Sequence, residues 1–152
     1  VIGTAGSAEG PAAVEALGAA AVDHTRPDQY ARITELSGGH GAALIVELLA
    51  NENLAADFGV LAKYGRIMVV GNRGSLDFNP RLLMGKEGDL RGVTNWAYGA
   101  EERAAAVLDL ARRLADGTLV PRVGRTFPLA EAGKAQDHVM GSRAVGKVVL
   151  AV

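Results

Sequence analysis

Short unbroken apolar runs alternate along this chain with stretches in which apolar residues recur every three or four positions. The runs at 1–5, 20–23, 43–46, 66–70, 90–95 and 146–152 read as strands, and 120–127, with prolines at its two ends, reads as extended chain. Ala43-Leu44-Ile45-Val46 has no polar break, the pattern of a strand buried on both faces. Helical spacing predicts helices over 11–17, 27–36, 52–63, 100–115 and 129–140. Pro11 suits a first helical turn, and Gly18 and Gly38-Gly39 stop two of the helices. Leu54, Phe58 and Leu61 share one helical face. Val107, Leu110, Ala111 and Leu114 form one stripe, closed by Asp116-Gly117.

Strands that alternate with helices imply right-handed crossovers and a parallel sheet, an α/β fold. Ligands of such sheets sit beyond the carboxyl ends of the strands, so the residues after each run are the candidate chemistry. Gly6-Ser7 follows the first run with no carboxylate at its end; Glu9 comes later. An acidic residue there would take the ribose 2′-hydroxyl of NAD, and its absence leaves room for the 2′-phosphate of NADP; a plain strand-to-helix turn is the other reading. Asp23-His24-Thr25-Arg26 follows the second run, and His24 and Arg26 are close enough to flank one anion or simply to be solvated. Glu47 to Asn53 follows the third. Asn51 before an amphipathic helix reads as an N-cap, and an amide there also suits a nicotinamide ribose or carboxamide. Gly71-Asn72-Arg73-Gly74 follows the fourth: glycines permit close backbone approach, and arginine offers planar donors matched to phosphate, or the four residues make a tight turn. Trp96 and Tyr98 follow the fifth, to line a pocket or to pack.

Composition narrows these readings. Hydrophobic residues are 49% and charged residues 22%, which excludes disorder, and a net charge of −1 leaves no basic footprint for nucleic acid or an anionic membrane surface. With no cysteine there is no disulfide, thiolate metal site or thiol nucleophile, and His24, His40 and His138 are scattered, so no metal site is assigned. No apolar run approaches the ~20 residues of a membrane span. No signal peptide is visible, and a cytoplasmic location is the expectation. The segment from Gly141 to Lys147 lacks the phosphate-loop pattern, and a strand rather than a helix is expected after it. No acid, base or nucleophile is assigned as catalytic.

The order of VIGTAGSAEG, ELLANENL, GRIMVVGNRGSLDFNPR, LRGVTNW and GSRAVGKVVL resembles that of the zeta-crystallin-like quinone oxidoreductases of the medium-chain dehydrogenase/reductase superfamily. The resemblance covers essentially the whole chain. It implies a Rossmann-like doubly wound parallel sheet over 1–120, with 121–152 returning toward a GroES-like catalytic domain. It also implies zinc-independent, NADPH-dependent reduction of a quinone or another activated C=C or C=O compound. The cofactor contacts it implies are Gly6 and Ser7, His24, Asn53 (in preference to Asn51), Val70, Gly71, Asn72 and Arg73, and Val93, Thr94 and Asn95. Asn72 stands where serine is commoner, and Asn95 is less apolar than the usual residue. A homodimer through edge strand 89–95 is implied as well. Alternative functions are a related enoyl or 2-haloacrylate reductase, a non-catalytic crystallin-like or RNA-binding role, or a Rossmann-shaped binding module.

The chain opens directly on a strand without Met, which reads as the interior of a longer protein lacking the family's first strand and its glycine-rich turn. Two expectations follow. Either the gap is closed by pairing the family's strands two and four directly, or the chain is part of a larger molecule; and the 152 residues alone bind NADPH weakly or not at all.

Overall fold

The structure, a computed structural model, describes residues 1–141 and 145–152. Strands β1 (Ile2–Ala5) and β2 (Ala20–Asp23) pair in parallel, with Ile2 opposite Ala20 and Ala5 opposite Asp23. Helix α1 (Gly10–Glu15) makes the crossover; it carries Pro11 in its first turn, and Gly18 at φ 79° turns the chain into β2. Helix α2 (Gln29–Leu36) follows and ends at Gly38 and Gly39, both with positive φ.

The second sheet holds β3 (Ala42–Glu47), β4 (Leu61–Val69) and β5 (Asp89–Gly92) in that order, all parallel, with α3 (Ala50–Val60) and α4 (Pro80–Met84) as crossovers. Arg66 and Asp89 are register partners across β4 and β5, and their side chains form an ion pair at 2.6 Å. Residues 62–65 loop out of the ladder between Ala42–Leu61 and Leu44–Arg66, with Tyr64 in the left-handed region at φ 64°.

The core lies between α3 and one face of β3–β4. Ala50, Leu54, Phe58, Leu61 and Ile67 are buried, Ile45, Val69, Leu76 and Leu83 pack against them, and Phe58 stacks on Phe78 at 5.3 Å between ring centroids. The face expected from Leu54, Phe58 and Leu61 is the buried one, but the helix is shifted from 52–63: it spans Ala50–Val60, and Leu61 already belongs to β4. The Ala50 N–H bonds to the Gly71 carbonyl at 3.0 Å, so the helix is tied to the end of β4 from its first residue.

One expectation is corrected, and one of the two alternatives for the gap is not taken. The run 43–46 is covered on one face alone: Glu47 is buried and Ile45 half-buried, whereas Leu44 and Val46 are 57% and 59% exposed because no described element packs on their side. The pairing of the family's strands two and four, here β1 and β3, does not form. β1 pairs with β2 alone and β3 with β4 alone, each bonded to its sequence-adjacent crossover partner.

Helix α5 (Ala100–Ala115) matches its prediction in length and ends at Asp116 and Gly117, but its stripe of Val107, Leu110 and Leu114 faces solvent. Strands β6 (Val123–Pro128) and β7 (Lys147–Ala151) form a third parallel pair bridged by α6 (Ala132–Gly141), with Phe127 and Ala135 buried between them. The strand after Lys147 is the one expected when a phosphate loop was rejected; residues 142–144 of that segment lie outside the described residues.

Candidate functional site

Every residue assigned from the sequence to a cofactor contact, Asn53 on α3 apart, lies at or just past the carboxyl end of a parallel strand. They form two groups. At the ends of β1 and β2, Gly6 and His24 are brought together: a Cβ on residue 6 would overlap the His24 imidazole at Nε2, so only glycine lets the ring lie there. Ser7 is half-buried beside them, its carbonyl accepting the Gly10 N–H at 3.2 Å. Arg26 does not join His24. Its guanidinium turns to Asp28, with Nε–Oδ1 at 3.0 Å, and both side chains are exposed. Hydrogen bonds from the Thr25 hydroxyl and N–H hold the Asp23 carboxyl below its usual range.

The second group lies past β3, β4 and β5. Gly71 donates to the Glu47 carbonyl at 3.2 Å, and a Cβ there would collide with the Leu48 carbonyl oxygen, so the two strand ends approach closer than any side chain allows. Asn51 and Asn72 brace the loop that follows. The Asn51 N–H donates to Asn72 Oδ1 at 2.9 Å, and the Arg73 N–H donates to Asn51 Oδ1 at 2.9 Å. Asn72 Nδ2 donates to the Gly74 carbonyl and Asn51 Nδ2 to Glu52 Oε1. Asn51 is therefore no N-cap; that place belongs to Leu49, whose side chain makes no cap bond, and Asn51 caps the neighbouring loop instead. With both amides engaged, the Arg73 backbone is fixed, while its exposed guanidinium makes no hydrogen bond or ion pair among the described residues.

Asn53 sits one turn into α3, half-buried. Its Nδ2 donates to Glu47 Oε1 at 3.1 Å, and the same oxygen accepts the Leu49 N–H. A carboxylate accepts only, so it selects the amide's NH₂ end and leaves the Asn53 carbonyl oxygen as the outward acceptor. Val93 extends the β5 line, its N–H donating to the Val69 carbonyl at 2.9 Å. The strand expected to reach residue 95 stops at Gly92, because Thr94 Oγ1 accepts the Trp96 N–H and starts a 3₁₀ turn over Asn95–Ala97. The Asn95 carbonyl accepts from Arg103 on α5 at 3.1 Å. Trp96 is 85% exposed and packs into no core.

Sequence reading missed Glu47 and Asp57, the two buried acidic residues of the described chain, each 6% exposed. The signal was present: Asp57 falls on the same helical face as Leu54, Phe58 and Leu61, where an acid needs an explanation. Burial, followed by the contact with Glu47, pushes the Asp57 carboxyl up to about 7. Burial first, then the charges of Asp57 and Glu47, raise the Tyr30 phenol on the facing α2.

Parallel strands with helical crossovers, and polar groups gathered past their carboxyl ends, are the arrangement in which α/β folds hold their ligands. The chain belongs to a zinc-binding dehydrogenase family, whose model matches residues 17–150. It is 37% identical to human quinone oxidoreductase over 99% of its own length, and it spans 46% of that relative's. Among solved structures it is similar to an NAD-dependent alcohol dehydrogenase (29% identity, TM-score 0.86, 100% of this chain and 43% of the other). It is likewise similar to a mycobacterial protein complexed with NADPH (25% identity, TM-score 0.85, 100% of this chain and 50% of the other). Its fold is that of the NAD(P)-binding domain of the alcohol dehydrogenase and quinone oxidoreductase superfamily. The zinc in the family's description finds no match in this chain's residues. It has no cysteine, and among the described residues no three His, Asp or Glu side chains gather to hold a metal ion.

Proposed function

We propose that this chain is the cofactor-binding part of an NADPH-dependent oxidoreductase that reduces a quinone or another activated C=C or C=O compound. The observation that carries the reading is that an outward amide carbonyl on Asn53, a close-packed glycine at 71 and a guanidinium on Arg73 without a partner among the described residues all follow the ends of β3 and β4. NADPH, when bound, supplies the hydride. This chain's own residues bind and orient. Arg73 offers fixed positive charge and paired donors to a phosphate, and the Asn51–Asn72 brace holds its backbone in place. Asn53 offers an acceptor to a ribose hydroxyl or carboxamide N–H. Gly6, Ser7 and His24 shape the end of β1–β2 toward the adenosine side, where the missing carboxylate favours a 2′-phosphate over a free 2′-hydroxyl. Val70, Gly71 and Asn72 give the strand-end backbone, and Val93, Thr94 and Asn95 run past the nicotinamide end. Residues 121–152 belong with a catalytic domain, and the exposed edge of β5 pairs with a second copy.

The test is NADPH and NADH titration, followed by quinone-dependent NADPH oxidation, with the intact polypeptide that carries this sequence. Tighter binding of NADPH and a quinone-dependent rate are expected, with Arg73→Ala weakening NADPH by about tenfold or more through loss of a charge-assisted contact. Preference for NADH, or an Arg73→Ala affinity equal to wild type, would sink the assignment.

A further inference from the structure

The proposed function leaves the buried acid pair unexplained. Glu47 ends β3 and Asp57 lies on α3, each 6% exposed, and after burial it is Glu47 that raises the Asp57 carboxyl. Two carboxylates have no donor between them, so they bond to one another only if one carries a proton. The arrangement indicates which one. Glu47 Oε1 already accepts N–H bonds from Leu49 and Asn53, bonds that a negative charge on Glu47 strengthens. Among the described residues Asp57 accepts from no donor, and its Oδ2 is buried without a partner, a state tolerable for a neutral acid and costly for an anion. The groups that bear on the pair come from two elements, Glu47 itself from β3 and Tyr30 from α2; neither brings a positive charge to offset a second carboxylate.

We propose that Glu47 and Asp57 share one proton, donated by Asp57, and that they act as positioning residues which fix the Asn53 amide with its carbonyl oxygen toward the cofactor. The inference rests on the cofactor reading for Asn53, while the shared proton itself does not. Loss of the proton sets two buried anions against each other across the β3–α3 junction. Glu47 then turns from Asn53 or the junction opens, and the amide loses its fixed orientation.

The sign follows from the raised value for Asp57. The folded chain keeps a proton that the unfolded chain releases, between the ordinary carboxylate value of 3.8 and about 7. Stability from this group is therefore full below that window and is lost as pH rises through it, by up to about tenfold in the folding constant per pH unit. Asp57→Asn keeps a donor to Glu47 that cannot ionise.

The experiment compares the intact polypeptide with Asp57→Asn in three readouts across the pH range: stability, the infrared band of a protonated carboxyl, and NADPH affinity. The wild type is expected to lose stability relative to Asp57→Asn as pH rises through the window, to show the band, and to lose NADPH affinity near neutral pH where the variant does not. Asp57→Ala, which supplies no donor, is expected to bind NADPH weakly at every pH. Glu47→Gln, which offers Asp57 an N–H instead of an acceptor, is expected to lose the band, and it serves if Asp57→Asn does not fold. A band that persists in Asp57→Asn, or a stability difference constant with pH, overturns the shared proton. NADPH affinities that follow the same pH course in wild type and Asp57→Asn overturn the positioning role. Absence of NADPH binding at any pH removes the cofactor reading and the positioning role with it, whereas the band and the stability difference still decide the proton.

Discussion

Three asparagines within reach of one strand end do three different things. Asn72 uses both ends of its amide to hold the loop from Asn51 to Gly74. Asn51 locks the Arg73 backbone. Asn53 has one end held by Glu47 and the other available. Substitutions should separate these roles. Asn51→Ala removes the acceptor for the Arg73 N–H and is expected to cost about 1–2 kcal/mol of stability by chemical denaturation. Asn53→Ala removes a donor to the buried Glu47 and is expected to cost a similar amount of stability while also weakening NADPH binding directly. An Asn53→Ala variant that binds NADPH as tightly as wild type would contradict this division. The sequence marked all three positions as polar and near the cofactor; it did not assign their hydrogen bonds, because Asn51's partners Asn72 and Arg73 lie 21 and 22 residues away across two elements.

At the scale of elements, the junction of β3, α3 and β4 is the rigid part of the fold. Gly71 lies against the Leu48 carbonyl, and its own N–H and carbonyl bond to Glu47 and Ala50. A methyl there meets backbone on a strand end that cannot swing aside. Gly71→Ala is therefore expected to destabilise by more than about 2 kcal/mol, and Phe58→Ala, at 1% exposure, by about 3–5 kcal/mol. Leu114→Ala, on the exposed stripe of α5, should change the stability of these 152 residues by no more than about 0.5 kcal/mol. Thermal or denaturant unfolding of the three variants checks the order, and a loss at Leu114 comparable to that at Phe58 would refute the exposed placement of α5. Helical spacing alone could not distinguish the α3 stripe from the α5 stripe. Both are amphipathic, and which one is buried depends on what packs against it.

For the whole molecule, the parallel ladders fall into three sheets, and the two groups of candidate residues lie on different ones. The sheets of β1–β2 and β3–β5 are linked by the packing of α2 on α3 and not by shared strand bonds. A dinucleotide that reaches from Gly6 and His24 to Arg73 and Asn53 would have to span that junction. NADPH binding by these 152 residues alone is accordingly expected to be weaker than micromolar; a titration that gives micromolar affinity would show that the two groups are already held in register. No helix of the described residues is long and apolar enough to cross a membrane.

The sequence by itself determined the succession of strands and helices apart from α4, the apolar face of α3, the glycines at turns and the strand ends at which polar groups gather. Each of these follows from local backbone preference or from a period of 2 or 3.6 residues, information carried within a few neighbouring positions. Only the tertiary structure decided that Leu44 and Val46 stay uncovered, that β1 and β3 do not pair, that Asn51 caps a loop rather than its own helix, and that Glu47 and Asp57 meet in the interior. Those outcomes depend on which surfaces come together and which remain without a partner, and no local pattern encodes contacts between residues that the chain separates by whole elements.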